Sequence, residues 1–85
     1  MTLGQDVVIL GAGCIGLLTM MACKARGAGR VIVSDLFSKR LDKALELGAD
    51  AVIDASTEDT MARVTELTEG RGADVVFETL SLIHI

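Results

Sequence analysis

The sequence predicts an α/β domain built on a parallel sheet with helices on both faces. Two observations carry this. Four short apolar runs rich in β-branched residues alternate with three longer segments whose apolar residues recur at helical spacing. The first of those runs ends in three glycines, Gly11, Gly13 and Gly16, directly before the first helical segment. Strict β-α-β-α-β-α-β alternation implies right-handed crossovers and the spatial strand order 3-2-1-4.

The elements follow in chain order. Asp6-Val-Val-Ile-Leu10 is a continuous apolar stretch ended by glycine, the pattern of a strand buried on both faces. From Cys14 to Arg26 good helix formers dominate, and Gly27 stands ready as the residue after the cap. Arg30 to Ser34 is the second strand, with Asp35 at its end. Residues Ser38 to Leu47 place Leu41, Ala44 and Leu45 on one stripe, with Ser38 as the expected N-cap and Gly48 as the stop. Ala51 to Ile53 is a short third strand. The stretch from Ser56 to Gly70 reads as a third helix capped by Ser56 or Thr57, with Glu58 and Asp59 in its first turn. Asp74 to Phe77 is the fourth strand.

Composition excludes several function classes. Half of the residues, 51%, are hydrophobic and 24% are charged, so the chain has enough apolar surface to fold. No apolar run approaches the roughly 20 residues of a membrane span, so a membrane partner is not expected. The net charge is −4, and Lys and Arg form no basic stripe, which argues against nucleic acid as a partner. No basic, apolar and small-residue succession marks the start of the chain for export, so the expectation is a cytoplasmic protein. The two cysteines, Cys14 and Cys23, fall on opposite faces of the first helix and form neither a disulfide nor a metal site.

The glycines point to a ligand. A glycine-rich turn between a buried strand and a helix gathers unpaired backbone N–H groups and the positive end of the helix dipole at one spot, which suits phosphate. In "GAGCIG", Gly11 permits the tight turn, Gly13 lets backbone approach a pyrophosphate, and Gly16 allows close packing of helix on strand. The spacing alone is weak evidence. It gains weight from Asp35, which lies 19 residues beyond Gly16 at the end of the second strand, where a carboxylate accepts from a ribose. A second negative charge about 4 Å away, as on a 2′-phosphate, would be repelled by several kcal/mol at an effective dielectric of about 20. NAD is therefore expected over NADP, and Asp35 would otherwise simply cap the turn that follows it.

These residues resemble the nucleotide-binding domain of the zinc-dependent medium-chain dehydrogenases, the sorbitol, xylitol and polyol branch above all. The resemblance runs from about Thr2 to Thr79 and rests on the G-A-G-x-I-G turn, the V-x-D-L-x-x-x-R run and E-L-G-A-D-x-V-I. It implies a Rossmann-type fold, NAD contacts from Ile15, Asp35 and Arg40, and an intact parent that moves hydride from a secondary alcohol to NAD. It also implies zinc in that parent only, bound by residues absent from this chain, and a homo-oligomeric parent. Within the family pattern Cys14 stands where proline is usual, costing some pre-organisation of the first helical turn. Lys39 beside Arg40 leaves room for some NADP. The alternatives are a regulatory nucleotide-sensing module and another dinucleotide-dependent oxidoreductase such as a threonine dehydrogenase. A methyltransferase is disfavoured by Leu10, where that class has an acid.

The last six residues, "LSLIHI", do not continue the family pattern and match one reading frame of a widely used transposase sequencing adapter. The expected division is a partial NAD-binding domain over residues 1–79 and a non-native tail over 80–85. His84 receives no catalytic role, and no catalytic or metal-binding residue is expected in this chain.

Overall fold

The computed structural model describes residues 4–79, so the proposed tail at 80–85 lies outside the described residues. Seven elements alternate as expected: β1 (Asp6–Leu10), α1 (Cys14–Ala25), β2 (Arg30–Asp35), α2 (Ser38–Glu46), β3 (Ala51–Asp54), α3 (Thr60–Leu67) and β4 (Val75–Glu78). The four strands form one parallel sheet in the order β3-β2-β1-β4. This is the Rossmann-type arrangement.

Alternation along the strands divides the core in two. Val7, Ile9, Val31 and Val33 face one side and pack with Met20 and Cys23 of α1 and Ala44 of α2. Val8, Ile32 and Ile53 face the other and pack with Val64 of α3. The chain turns back past β1 to reach β4, which is why α3 crosses the face opposite α1 and α2. Burial pushes the Cys23 thiol above its ordinary range, whereas Cys14 is exposed. Val76 sits opposite Val8 in register and remains 53% exposed, because only β1 flanks β4 among the described residues.

Three details differ from expectation. Helix α3 begins at Thr60, and its cap is Asp59, whose carboxylate accepts from the backbone N–H groups of Met61 and Ala62. Ser56 and Thr57 instead fold into a turn on Asp54, because Asp54 accepts from the Ser56 N–H and its carbonyl from that of Thr57. Ser38 is the first helical residue of α2, not its cap. Phe37 takes the cap position, where its phenyl ring offers no acceptor, and the Asp35 carboxylate accepts the Phe37 N–H at 2.9 Å. Strand β4 runs from Val75 to Glu78, one residue later than the apolar run suggests. Asp74 is held out of the strand by accepting the Asp6 N–H at 2.7 Å.

No helix among the described residues is long and apolar enough to cross a membrane.

Candidate functional site

The glycine turn lies where the strand order reverses, between the carboxyl ends of β1 and β4. This is the switch point at which open α/β sheets bind ligands. Gly11 adopts φ +110°, a conformation that L side chains rarely take, and it turns the chain sharply out of β1. Its N–H donates to the Ser34 carbonyl at 2.7 Å, tying the turn to β2. A Cβ at Gly16 would lie 1.9 Å from the Gly11 carbonyl oxygen, so helix and turn meet at a distance only glycine permits.

Gly13 is different. A Cβ there would meet nothing within 4 Å, and its backbone is extended, so no steric demand of the fold calls for glycine. Open space in front of the peptide is what a close-approaching ligand requires. Gly13 caps α1 with no side chain, and the first turn of that helix carries no acid. The N–H groups at its start therefore keep their positive character without an internal counter-charge. Gly11, Gly13, Cys14, Ile15, Gly16, Arg40 and Thr79 line a cavity of about 270 Å³ at this point.

A second cavity of about 420 Å³ adjoins it through shared Gly11 and Arg40. Its walls include Asp35, Leu36, Phe37, Ser34, Thr60 and Met61, and they are largely apolar. Both oxygens of the buried Asp35 carboxylate accept backbone N–H groups, Oδ2 from Ala12 at 2.7 Å and Oδ1 from Phe37 at 2.9 Å. Asp35 thus performs the turn-capping role as well as facing the cavity. Each carboxylate oxygen has a further lone pair, so two more donors fit the same group.

Arg40 joins the two cavities. Its guanidinium is 3.7 Å from Asp35 Oδ2 and lies over the Phe37 ring, 4.9 Å from the centroid. Its side chain is 44% exposed, which leaves donors facing solvent and cavity. The structure thus brings Gly11, Gly13, Ile15, Gly16, Asp35 and Arg40 around one crevice.

Sequence reasoning assigned no site role to Phe37, Thr60 and Met61. A signal existed for Phe37: Leu36 and Phe37 are two large apolar residues directly after the acid and off the buried stripe of α2, exposed by 60% and 59%. Nothing local marks Met61, which reaches the cavity only because β3 and α3 fold beside β2. Among the described residues no three His, Cys, Asp or Glu side chains are grouped to hold a metal ion, so no step is assigned to zinc here.

Comparison with known proteins supplies the family. The model of the zinc-binding dehydrogenase family matches residues 14–84. An uncharacterized zinc-type alcohol dehydrogenase-like protein, YdjJ of Escherichia coli (strain K12), is 54% identical over 76 residues, covering 89% of this chain and 22% of that protein. Sorbitol dehydrogenase of Bombyx mori is 52% identical over 65 residues, 76% of this chain and 19% of that protein. The chain thus spans about a fifth of the length of these relatives. A crystal structure of an Escherichia coli oxidoreductase/dehydrogenase of unknown specificity superposes with a TM-score of 0.90 at 51% identity, covering 94% of this chain and 23% of that one. The Escherichia coli structure follows the same backbone course over 94% of this chain, and the chain belongs to the zinc-binding dehydrogenase family.

Proposed function

We propose that this chain is the NAD-binding portion of an alcohol or polyol dehydrogenase, with the dinucleotide lying across the glycine turn. The single observation that carries the reading is Gly13: the fold does not need glycine there, and a ligand against the helix N-terminus does. The first turn of α1 would hold the pyrophosphate with backbone N–H groups, Ile15 packing beside it. Asp35 would accept the ribose hydroxyls with its remaining lone pairs, and Arg40 would bridge the two cavities, its charge near the phosphates. The apolar cavity beside Leu36, Phe37 and Met61 would take the base.

When bound, NAD supplies the nicotinamide that accepts hydride from a secondary alcohol. The residues of this chain bind and orient; none of the described residues has a place in proton transfer or metal binding, and catalytic and zinc-binding groups are assigned to the rest of a longer parent. In this reading residues 1–79 form the nucleotide-binding unit, and the parent acts in the cytoplasm as a homo-oligomer. The carboxylate of Asp35, already holding two N–H groups and 3% exposed at its side chain, disfavours the 2′-phosphate of NADP.

Calorimetric titration of the chain with NAD, NADP, ADP and adenosine tests this. NAD and ADP should bind more tightly than adenosine, and NAD at least tenfold more tightly than NADP. Equal affinity for NAD and NADP would remove Asp35 from the discriminating role, and no binding of any nucleotide would overturn the reading.

A further inference from the structure

Thr79, at the end of β4, shapes the glycine turn from the side opposite Asp35. Its hydroxyl lies 2.9 Å from the Leu10 carbonyl and 3.2 Å from the Gly11 carbonyl, while its N–H donates to the Leu10 carbonyl at 3.0 Å. The residue is buried, 7% exposed, and also lines the smaller cavity. The Gly11 carbonyl and the Ala12 N–H belong to one peptide unit and point in opposite directions across it. One end of that unit is met by Thr79 from β4, and the other by Asp35 Oδ2 from β2 at 2.7 Å.

Resting on the dinucleotide reading above, we infer that Thr79 is a positioning residue for the phosphates, acting through the Gly11–Ala12 peptide. The physical need is specific. Gly11 has no Cβ to restrict its torsions, so sterics alone do not fix how the next peptide is turned. That orientation decides where the Gly13 peptide and the first N–H groups of α1 point, since they follow within two residues. Two side chains from the two strands flanking β1 replace the missing steric restraint. Valine at position 79 would preserve shape and burial while leaving the Gly11 carbonyl without the hydroxyl donor. The Leu10 carbonyl would keep the N–H of residue 79, so β4 pairing is spared.

The test compares the chain with its Thr79→Val and Thr79→Ser variants, using calorimetry with ADP and adenosine and amide hydrogen exchange by NMR without ligand. T79V should lose about tenfold in ADP affinity and less than twofold in adenosine affinity. The Ala12 amide should exchange at least tenfold faster while Val8 and Ile32, central in the sheet, stay unchanged. T79S should match the parent chain on every readout. Unchanged Ala12 exchange in T79V would overturn the inference. So would equal losses for ADP and adenosine, equal acceleration at Val8 and Ile32, or a T79S variant that behaves like T79V, since each means packing or global stability and not the hydroxyl. Failure of the parent chain to bind ADP and adenosine would sink the dinucleotide reading and with it the ligand role of Thr79, whereas Ala12 exchange would still decide whether the hydroxyl holds the turn.

Discussion

The two ends of the sheet use the same device for opposite purposes. At the amino ends of the strands, Asp74 accepts the Asp6 N–H and returns its own N–H to the Asp6 carbonyl, and Asp50 makes the same pair with Val31. The Asp6 carboxylate, buried in turn, is met by Arg30 at 3.2 Å and Arg71 at 3.0 Å, and Arg30 also donates to the Leu67 carbonyl. At the carboxyl ends Asp35 likewise accepts backbone N–H groups of neighbouring segments, but only one guanidinium approaches it, at 3.7 Å and partly exposed. Acids stitch strand ends to their neighbours in both places. The lower end closes its acid with two arginines, while the upper end faces open cavities with an arginine to spare. That difference separates an end built for structure from the end at which we propose that the dinucleotide binds.

The comparison breaks most sharply at the glycines. Replacing Gly16 with valine pushes a side chain into the Gly11 carbonyl and should cost roughly 3 kcal/mol or more, enough to unfold so small a domain. Gly13→Ala meets open space, but alanine caps a helix less well than glycine, so it should cost about 0.5–1 kcal/mol, well below the cost of G16V. It should nonetheless lose most ADP affinity. Urea unfolding and calorimetry on both variants check this, and a G13A variant that unfolds like G16V would erase the distinction between the two glycines.

The lower end should respond in stability alone. Asp6→Ala strands Arg30 beside a buried strand start, and because both arginines keep some solvent the cost should be about 2 kcal/mol, below that of a fully buried pair. ADP affinity of the fraction that remains folded should be unchanged. A D6A variant that weakens ADP binding without changing stability would show the two ends to be coupled.

Asp35→Ser sharpens the upper end. In a full-length parent it should lower the NAD-to-NADP ratio of kcat/KM by tenfold or more, equivalent to about 1.4 kcal/mol or more. Because Asp35 also holds Ala12 and Phe37, kcat/KM with NAD should fall more than kcat/KM with NADP rises. A variant that simply exchanges one cofactor for the other would show that those two hydrogen bonds do not matter to the site.

The smallest effect is a reactivity contrast between the cysteines of α1. Cys14 borders the smaller cavity and is exposed, so a disulfide reagent should label it first, and if the phosphates sit there as proposed ADP should slow that labelling severalfold. Cys23 is buried with its thiol pushed up in pKa, so it should react only on unfolding. Labelling of Cys14 indifferent to saturating ADP would place the ligand elsewhere.

The order of elements, the strand order and the glycine turn were legible in the chain itself, because periodicity and glycine placement act over a few residues. The same local signals put Asp35 at a strand end and Arg40 on the helix after it. Local reading went wrong where two neighbours compete for one role. The sequence offers Ser56 or Thr57 as the cap with Asp59 inside the first turn, and only the turn on Asp54 moves the start of α3 so that Asp59 becomes the cap. Gly-Ala-Asp occurs twice, before β3 and before β4, and only the structure shows that both aspartates close matching strand-end clasps.

What the sequence by itself determined is therefore the set of elements and the chemistry offered at the turn, since backbone freedom at glycine and charge at aspartate belong to the residue. Only the tertiary structure decided that Thr79, more than sixty positions away, reaches the Leu10 and Gly11 carbonyls. It alone set Met61 beside Phe37. Such contacts come from strand register and from the crossing of α3 to the second face, which depend on how the whole core packs and leave no mark at the residues that meet.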